Sequence, residues 1–126
     1  MREILFRGKL RGDGRWAEGN LAIKKDGVCI IMPDDTPLGC YGQVDPATVG
    51  QYTGLTDKNG RKIFEGDIVK MRTSGLSGQG EIVFKDGSFG VDDKKRKRFY
   101  YMYHDAVYRV DGNIHDNPEL LKGGAS

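Results

Sequence analysis

The stretch QYTGLTDKNGRKIFEGDIVKM, residues 51–71, decides how the second half of the chain folds. It is dense in turn residues, ends in an alternating run and contains no obvious nucleophile, base or metal ligand. Asn59 and Gly60 predict a type I′ hairpin, because both central residues of that turn have positive φ. Gly66 and Asp67 break the next run, and an aspartate can hold such a bend by bonding nearby backbone. We therefore expect a hairpin that leads into the first strand of a small barrel.

The sequence after this stretch continues the β pattern. TSGLSGQG is typical of a flexible loop, and EIVFKDGSFGV predicts two alternating strands around an Asp86-Gly87 turn. Strands joined by such short turns favour a rolled or closed antiparallel sheet, which removes exposed edges. Near the end, Asn117 as N-cap and Pro118 at the first helical position predict a short helical turn that caps the barrel.

The sequence before residue 51 predicts a three-stranded meander. EILFRGKL and WAEGNLAIK alternate around a Gly-Asp-Gly turn, with Ile4 and Phe6 expected on the inner face, and VCIIM follows a second turn at KKDG. A connection rich in proline and glycine comes next, with one helical turn expected at Asp45 and Pro46. We thus expect a meander and connecting loop over residues 1–50 and a barrel over residues 51–126, which can form one compact unit.

Composition bounds the class of protein. The 126 residues are 37% hydrophobic and 30% charged with 19 glycines, which indicates a soluble, turn-rich globular chain. The longest apolar run falls far short of the ~20 residues of a membrane span, and the charged start does not resemble an export signal, so we expect a cytoplasmic protein. Cys29 and Cys40 lack the paired spacing of a zinc or redox site and are expected to be reduced thiols.

Three segments together resemble one family. QYTGLTDKNGRKIFEGDIVK, REILFRGK and GNIHDNPELL are similar to segments of the YopX family, whose members occur mostly in bacteriophages and in prophage regions of bacterial genomes. The resemblance covers nearly the whole chain and implies a mainly β protein, an SH3-like rolled barrel in the second half and a setting inside a bacterial host cell. It implies no activity, catalytic residue or cofactor. The motif residues are interpreted as structural: Tyr52, Gly54, Asn59, Gly60, Gly66, Asp67, Asn117 and Pro118.

The most distinctive local feature is DDKKRKRFYYMY, residues 92–103. Consecutive cations beside aromatic residues are what a nucleic-acid surface would use, with the cations on phosphates and the rings stacked on bases. The competing interpretation is a solvated hairpin tip followed by an ordinary strand, and we favour it because Asp92 and Asp93 partly neutralise the cations. The residues of the nucleic-acid hypothesis are Lys94, Lys95, Arg96, Lys97, Arg98, Tyr100, Tyr101 and Tyr103.

The sequence does not predict an enzyme. Two His-Asp dipeptides begin at His104 and His115, but their spacing does not ensure the three converging ligands of a metal site, so we expect no metal and no cofactor. The leading hypothesis is a non-enzymatic phage or prophage accessory protein, a homo-oligomeric β module that binds a host or phage protein and no membrane. The alternative is a nucleic-acid-binding module, which the net charge of +2 does not by itself support.

Overall fold

The computed structural model describes residues 3–33, 42–103 and 105–122, with the side chain of residue 122 left out. The predictions made for Cys40 and His104 therefore lie outside the described residues. The chain divides into two compact units, Met1–Tyr52 and Thr53–Ser126. Both are built from antiparallel strands, which confirms the prediction of a mainly β protein.

The elements follow one another closely along the chain. The strands are β1 (Phe6–Lys9), β2 (Trp16–Ile23), β3 (Cys29–Met32), β4 (Gly42–Val44), β5 (Gly50–Thr56), β6 (Lys62–Phe64), β7 (Asp67–Thr73), β8 (Leu76–Lys85), β9 (Ser88–Asp93), β10 (Arg98–Tyr101) and β11 (Val107–Asn113). A 3₁₀ turn covers Pro46–Thr48, and one short helix, α1, covers Glu119–Lys122.

The first unit is the predicted meander. β1 pairs with β2 and β2 with β3, and the sheet extends through β4 on one side and the start of β5 on the other. The 3₁₀ turn lies where Asp45 and Pro46 predict it, with the Asp45 carboxylate accepting the backbone N–H of Ala47. The apolar core of this unit is formed by Cys29, Ile31 and Val44.

The inner face of the first strand agrees with the prediction at Phe6, which packs against the core cluster, and differs from it at Ile4. Leu5 is buried, whereas Ile4 is 55% exposed, because regular pairing of β1 begins only at Phe6. The single tryptophan, Trp16, is half-buried, and the Arg7 guanidinium lies 4.6 Å from its ring centroid. A cation over a ring face is attracted by the ring quadrupole, so this pair helps to hold β1 on β2.

The second unit contains a five-stranded sheet in the order β10-β9-β8-β7-β11. Since β10 and β11 lie at its two edges and are not neighbours, the sheet is not the closed barrel that we expected. One face carries the core, in which Val69, Met71, Ile82, Val91 and Tyr108 are all almost fully buried. The alternate residues of the same strands point to the opposite face, as the period of a strand requires.

The prediction of a flexible loop at TSGLSGQG is wrong. β7 and β8 are joined by Ser74 and Gly75 alone, and the rest of the segment pairs with β7 in regular register. Its glycines are needed for close packing rather than for flexibility, because a Cβ atom on Gly80 would clash with the backbone oxygen of Asp92. A glycine in a strand marks such an approach of a neighbouring chain segment.

The DKNG turn is also of a different type from the one expected. Gly60 has φ of 83°, but Asn59 is not among the described residues with positive φ, so the turn is not type I′. The Asp57 carboxylate holds the different turn, because it accepts the backbone N–H groups of Asn59 and Arg61 at 2.9 Å each. The type I′ geometry occurs instead at Asp86 and Gly87, where both φ angles are positive.

The break before β7 is built as the sequence indicates. Gly66 has φ of 89°, and the buried Asp67 carboxylate accepts the backbone N–H of Phe64 at 2.8 Å. Near the carboxyl end, α1 begins after Asn117, whose backbone carbonyl accepts the N–H of Leu120. The Asn117 side chain does not cap the helix as predicted, because its amide oxygen accepts the N–H of Asn113 instead.

Candidate functional site

A groove of about 350 Å³ lies along β7, β8 and β11 of the five-stranded sheet. Five cationic side chains line it: Lys58, Lys70, Arg72, Arg96 and Arg109. None of the described residues that line this groove carries a carboxylate. We call it the basic groove.

The floor of the basic groove is set by strand register. Lys70 of β7 lies directly between Arg109 of β11 and Gln79 of β8, and Arg72 lies two residues further along β7 on the same face. Like charges directly opposite each other on neighbouring strands cost up to about 1 kcal/mol. Lys70 and Arg109 are such a pair, and the Asp111 carboxylate, which is bonded to Arg109, offsets part of their repulsion.

One wall of the basic groove is the DKNG turn. The backbone N–H of Lys58 donates to the carbonyl of Tyr108, and the second carboxylate oxygen of Asp57 accepts the N–H of Val110 at 3.0 Å. Both bonds go to the edge strand β11, at the position where its register shifts between Val110 and Gly112. The turn therefore covers part of an exposed edge and places Lys58 beside the groove floor.

Asp57 keeps its charge in this position. Burial by itself raises the pKa of Asp57, but the backbone N–H groups of Val110, Arg61 and Asn59 and the charge of Arg61 outweigh it and hold the pKa below its ordinary value. The side chain is only 5% exposed. A buried carboxylate with three donors is a strong local constraint on the backbone.

The opposite wall is the tip of the β9–β10 hairpin. Asp93 is 2% exposed and accepts the backbone N–H of Arg96 at 3.0 Å and that of Gln79 at 3.3 Å. The Arg96 guanidinium donates to the carbonyl of Ser77 at 3.1 Å and lies 3.4 Å from the Asp93 carboxylate. The tip is thus an exposed hairpin turn, as the favoured interpretation of the sequence predicted, and these bonds hold it against β8.

The cations of the basic groove differ in how far they are neutralised. Arg109 is paired with Asp111 at 2.7 Å, and Arg96 is shared between Asp93 and Ser77. Within the described part of the chain, Lys58, Lys70 and Arg72 form no side-chain ion pair. Three charges are therefore available to a ligand without the loss of an existing ion pair.

The predicted aromatic partners of the basic run are separated from it. Tyr100 points to the core side and packs against the buried cluster, and Tyr103 is 41% exposed beyond the end of β10. Tyr101 is 52% exposed and packs edge-on against Phe99 with ring centroids 5.0 Å apart. These aromatic rings do not line the basic groove, so the structure does not combine cations and rings in the way the sequence suggested.

A row of carboxylates lies between this aromatic pair and the groove. Glu81 of β8 is opposite Asp92 of β9, and Asp92 is opposite Phe99 of β10, on the same face as Lys70. Burial raises the pKa of Glu81 and nearby Asp92 adds to this, although Lys94 opposes it. The carboxylates of Glu81 and Asp92 thus lie at one boundary of the basic groove.

A second, smaller cavity of about 150 Å³ continues the surface beyond the hairpin tip. Lys94 and Lys95 line it together with Leu120 and Leu121, and it shares Gln79 and Arg96 with the basic groove. The first two cations of the predicted run thus extend the basic groove, while Lys97 on the turn and Arg98 at the start of β10 are exposed and do not line either cavity.

The remaining motif residues are structural in their contacts or simply exposed. Tyr52 is buried and its backbone N–H donates to the carbonyl of Leu5, and Gly54 has φ of 92° inside β5.

In the described ranges, no group of three histidine, cysteine or acidic residues is arranged to hold a metal ion. The N–H of His115 donates to Asn113 in a turn. No helix in this part of the chain is both long and apolar enough to cross a membrane.

Sequence reasoning missed most of the basic groove. Of its cations only Arg96 belongs to the predicted run, whereas Lys58, Lys70, Arg72 and Arg109 come from a turn and two strands. The alternation of Lys70 and Arg72 with buried Val69 and Met71 was a signal that they share one exposed face. Their proximity to Arg109 depends on pairing with a strand almost 40 residues away, which no local pattern reveals.

Comparison with known proteins places the chain in a family. The YopX protein family matches residues 13–122. No curated protein shows significant sequence similarity to the chain. Among solved structures, protein yopX from Bacillus subtilis is similar in fold, with 21% identity, a TM-score of 0.58 and coverage of 96% of this chain and 97% of that one. Protein EF1440 from Enterococcus faecalis is 27% identical with a TM-score of 0.56 and covers 96% and 99%. The family match spans most of the sequence, and the chain therefore belongs to the YopX protein family.

Proposed function

We propose that this protein binds nucleic acid through the basic groove, as a non-enzymatic accessory protein of a phage or prophage. The observation that carries the proposal is the convergence of five cations from four separate regions in one groove whose described lining contains no carboxylate. Phosphate backbones are the macromolecular ligands that such a surface attracts, since each neutralised phosphate releases counterions. The net charge of +2 is compatible with this because the cations are locally concentrated.

This reverses the order of the two hypotheses drawn from the sequence. The hairpin tip alone was explained adequately as a solvated turn. The tip in place beside Lys58, Lys70 and Arg72 is part of a larger surface, and these three side chains have no ion pair within the described residues. Three cations without an ion pair that line the same groove favour an anionic partner over an apolar one.

Neutralising the groove floor tests the proposal. A Lys70→Gln/Arg72→Gln variant is expected to bind labelled DNA or RNA roughly tenfold or more weakly at low salt, because two phosphate contacts are lost. The slope of log affinity against log salt concentration should fall by about 1.4 for a single strand or about 1.8 for a duplex. Fluorescence anisotropy across a salt series measures both quantities. Both residues are exposed, so the variant should keep its fold.

The matched control is Lys24→Gln/Lys25→Gln, which removes the same charge from an exposed turn in the first unit. It should leave both affinity and salt slope close to those of the original protein. Equal losses in the two variants would show a nonspecific charge effect and contradict a role for the groove. The absence of binding at low salt would remove the proposal altogether.

A second candidate, self-association, is favoured by the edge strand β10. Tyr101 on this strand is 52% exposed and packs against Phe99, and an unpaired edge with exposed apolar side chains is a template for pairing with another copy. If this edge joins two copies, Tyr101→Lys should convert a dimer into a monomer in light scattering coupled to size exclusion. A monomeric original protein at tens of micromolar would exclude it.

A further inference from the structure

The shape of the basic groove indicates which form of nucleic acid it binds. Resting on the proposed function, we infer that the groove binds a single strand that crosses the sheet roughly perpendicular to its β-strands, from the Lys58 turn to the hairpin tip. Nothing in the family relationship assigns such a site. The inference depends on where the cations stand relative to the strands and on how the two walls are held.

Four of the five cations form a row across the sheet, and the fifth, Arg72, lies two residues from Lys70 along β7. Lys58 stands beside the edge strand β11, Arg109 lies on β11 and Lys70 lies on β7, while Gln79 is next on β8 and Arg96 follows on the tip. Neighbouring strands lie about 4.8 Å apart, so the row spans roughly 20 Å from end to end. Successive phosphates of one strand are in reach of successive cations along this row.

The two walls restrict the partner to one strand. The floor side chains Lys70 and Arg109 lie between the Lys58 turn, which is bonded to Tyr108 and Val110, and the Arg96 tip, which is bonded to Ser77. A duplex presents a broad convex surface and would rest on the walls, whereas a single strand can reach the floor of a groove of about 350 Å³. Positively charged grooves that track one backbone are typical of single-strand binders.

The β9–β10 hairpin tip is also not placed so that it could enter a groove of a duplex. A two-stranded β-ribbon can read a major groove only if it projects from the protein. Here Asp93 and Arg96 hold the tip back against β8 through bonds to Gln79 and Ser77. The helix α1 has four residues and is too short to act as a recognition helix.

The length of the row fixes the size of the site. At about 3.4 Å per stacked nucleotide, a row of roughly 20 Å covers about six nucleotides, and fewer if the strand is extended. The three cations without an ion pair predict a salt slope of about 2.1 for a single strand, which rises to about 3.5 if Arg96 and Arg109 also contact phosphates. Lys94 and Lys95 can add contacts where the second cavity continues the path. Since the recognised chemistry is the phosphate backbone, DNA and RNA strands are both ligands.

The test compares labelled oligothymidylates and oligouridylates of 4, 6, 8 and 12 nucleotides with a 12-base-pair duplex by fluorescence anisotropy in the same buffers. Affinity for the single strands should rise steeply up to about six nucleotides and then level off, and the duplex should bind at least roughly tenfold more weakly. Lys58→Gln should lower the single-strand salt slope by about 0.7, while Lys25→Gln should not change it. Light scattering of each complex gives its stoichiometry.

The outcomes separate this inference from the proposed function. Tighter binding to the duplex, lost in Lys70→Gln/Arg72→Gln, would overturn the single-strand inference and keep nucleic-acid binding in the groove. Single-strand affinity that keeps rising in proportion to length, with no effect of Lys58→Gln, would overturn the defined site. A failure of every nucleic acid to bind at low salt would overturn both.

Discussion

An Asp57→Ala variant is expected to lower the free energy of unfolding by about 4 kcal/mol, because it leaves three backbone N–H groups without their acceptor. The carboxylate accepts from Asn59 and Arg61 within the turn and from Val110 on β11, and it is 5% exposed. The variant loses both the shape of the DKNG turn and its attachment to the edge strand. Urea unfolding followed by the fluorescence of Trp16 and by circular dichroism measures the change.

An Asp57→Asn variant separates the contribution of the bonds within the turn from that of the bond to β11. Its amide oxygen can still accept from Asn59 and Arg61, but its NH₂ group faces the N–H of Val110, where the second carboxylate oxygen was. We expect a loss of about 2 kcal/mol for this variant, from the edge attachment alone. Asp26→Ala, an exposed turn aspartate with one backbone bond to Val28, is the control and should change stability by less than about 1 kcal/mol.

The contribution of Asp57 has a defined pH dependence. Its pKa in the folded protein is below the ordinary value of 3.8, so the unfolded chain binds the proton more readily than the folded one. The difference in stability between the original protein and Asp57→Ala should be complete above that ordinary value and should shrink as the pH falls through the folded pKa. A difference that grows with acidity would contradict the assignment of a charged acceptor.

An Asp93→Ala variant should show the second large effect, a loss of about 3 kcal/mol together with weaker binding of single strands. Asp93 is 2% exposed and accepts from the backbone of Arg96 and of Gln79, so its removal leaves both N–H groups unsatisfied. It also releases the Arg96 guanidinium, which is held near Ser77 at the groove wall. Thermal unfolding and anisotropy measurements in the folded range report the two effects separately.

The neighbouring aspartate provides the control for this variant. Asp92 has the same charge but points to the outer face opposite Glu81, and Asp92→Ala should change stability by less than about 0.5 kcal/mol. Since Asp92 adds negative charge beside the groove, its removal should leave affinity unchanged or slightly higher. If Asp92→Ala weakened binding as much as Asp93→Ala, the proposed role of Asp93 in holding the tip would be wrong.

Local sequence patterns were sufficient for much of the fold. The meander, the turn at Asp86-Gly87 and the bend at Gly66-Asp67 follow from alternation and turn chemistry, which depend on neighbours in the chain. The predictions failed where a distant contact overrode the local pattern. The glycines of TSGLSGQG lie in a strand because Gly80 meets the backbone of Asp92. At Asn59 the turn differs because the Asp57 carboxylate, which accepts the Asn59 N–H, is also bonded to Val110 on the distant strand β11.

By itself, the sequence determined that the protein is mainly β, belongs with the YopX family and carries a basic run at residues 94–98. Only the tertiary structure decided that the sheet of the second unit stays open and that Arg96 joins Lys58, Lys70, Arg72 and Arg109 in one groove. The physical reason is that strand alternation sets the face on which a side chain lies, whereas pairing between distant strands sets its neighbours. The concentration of positive charge in the basic groove depends on that pairing, and no local sequence pattern reveals it.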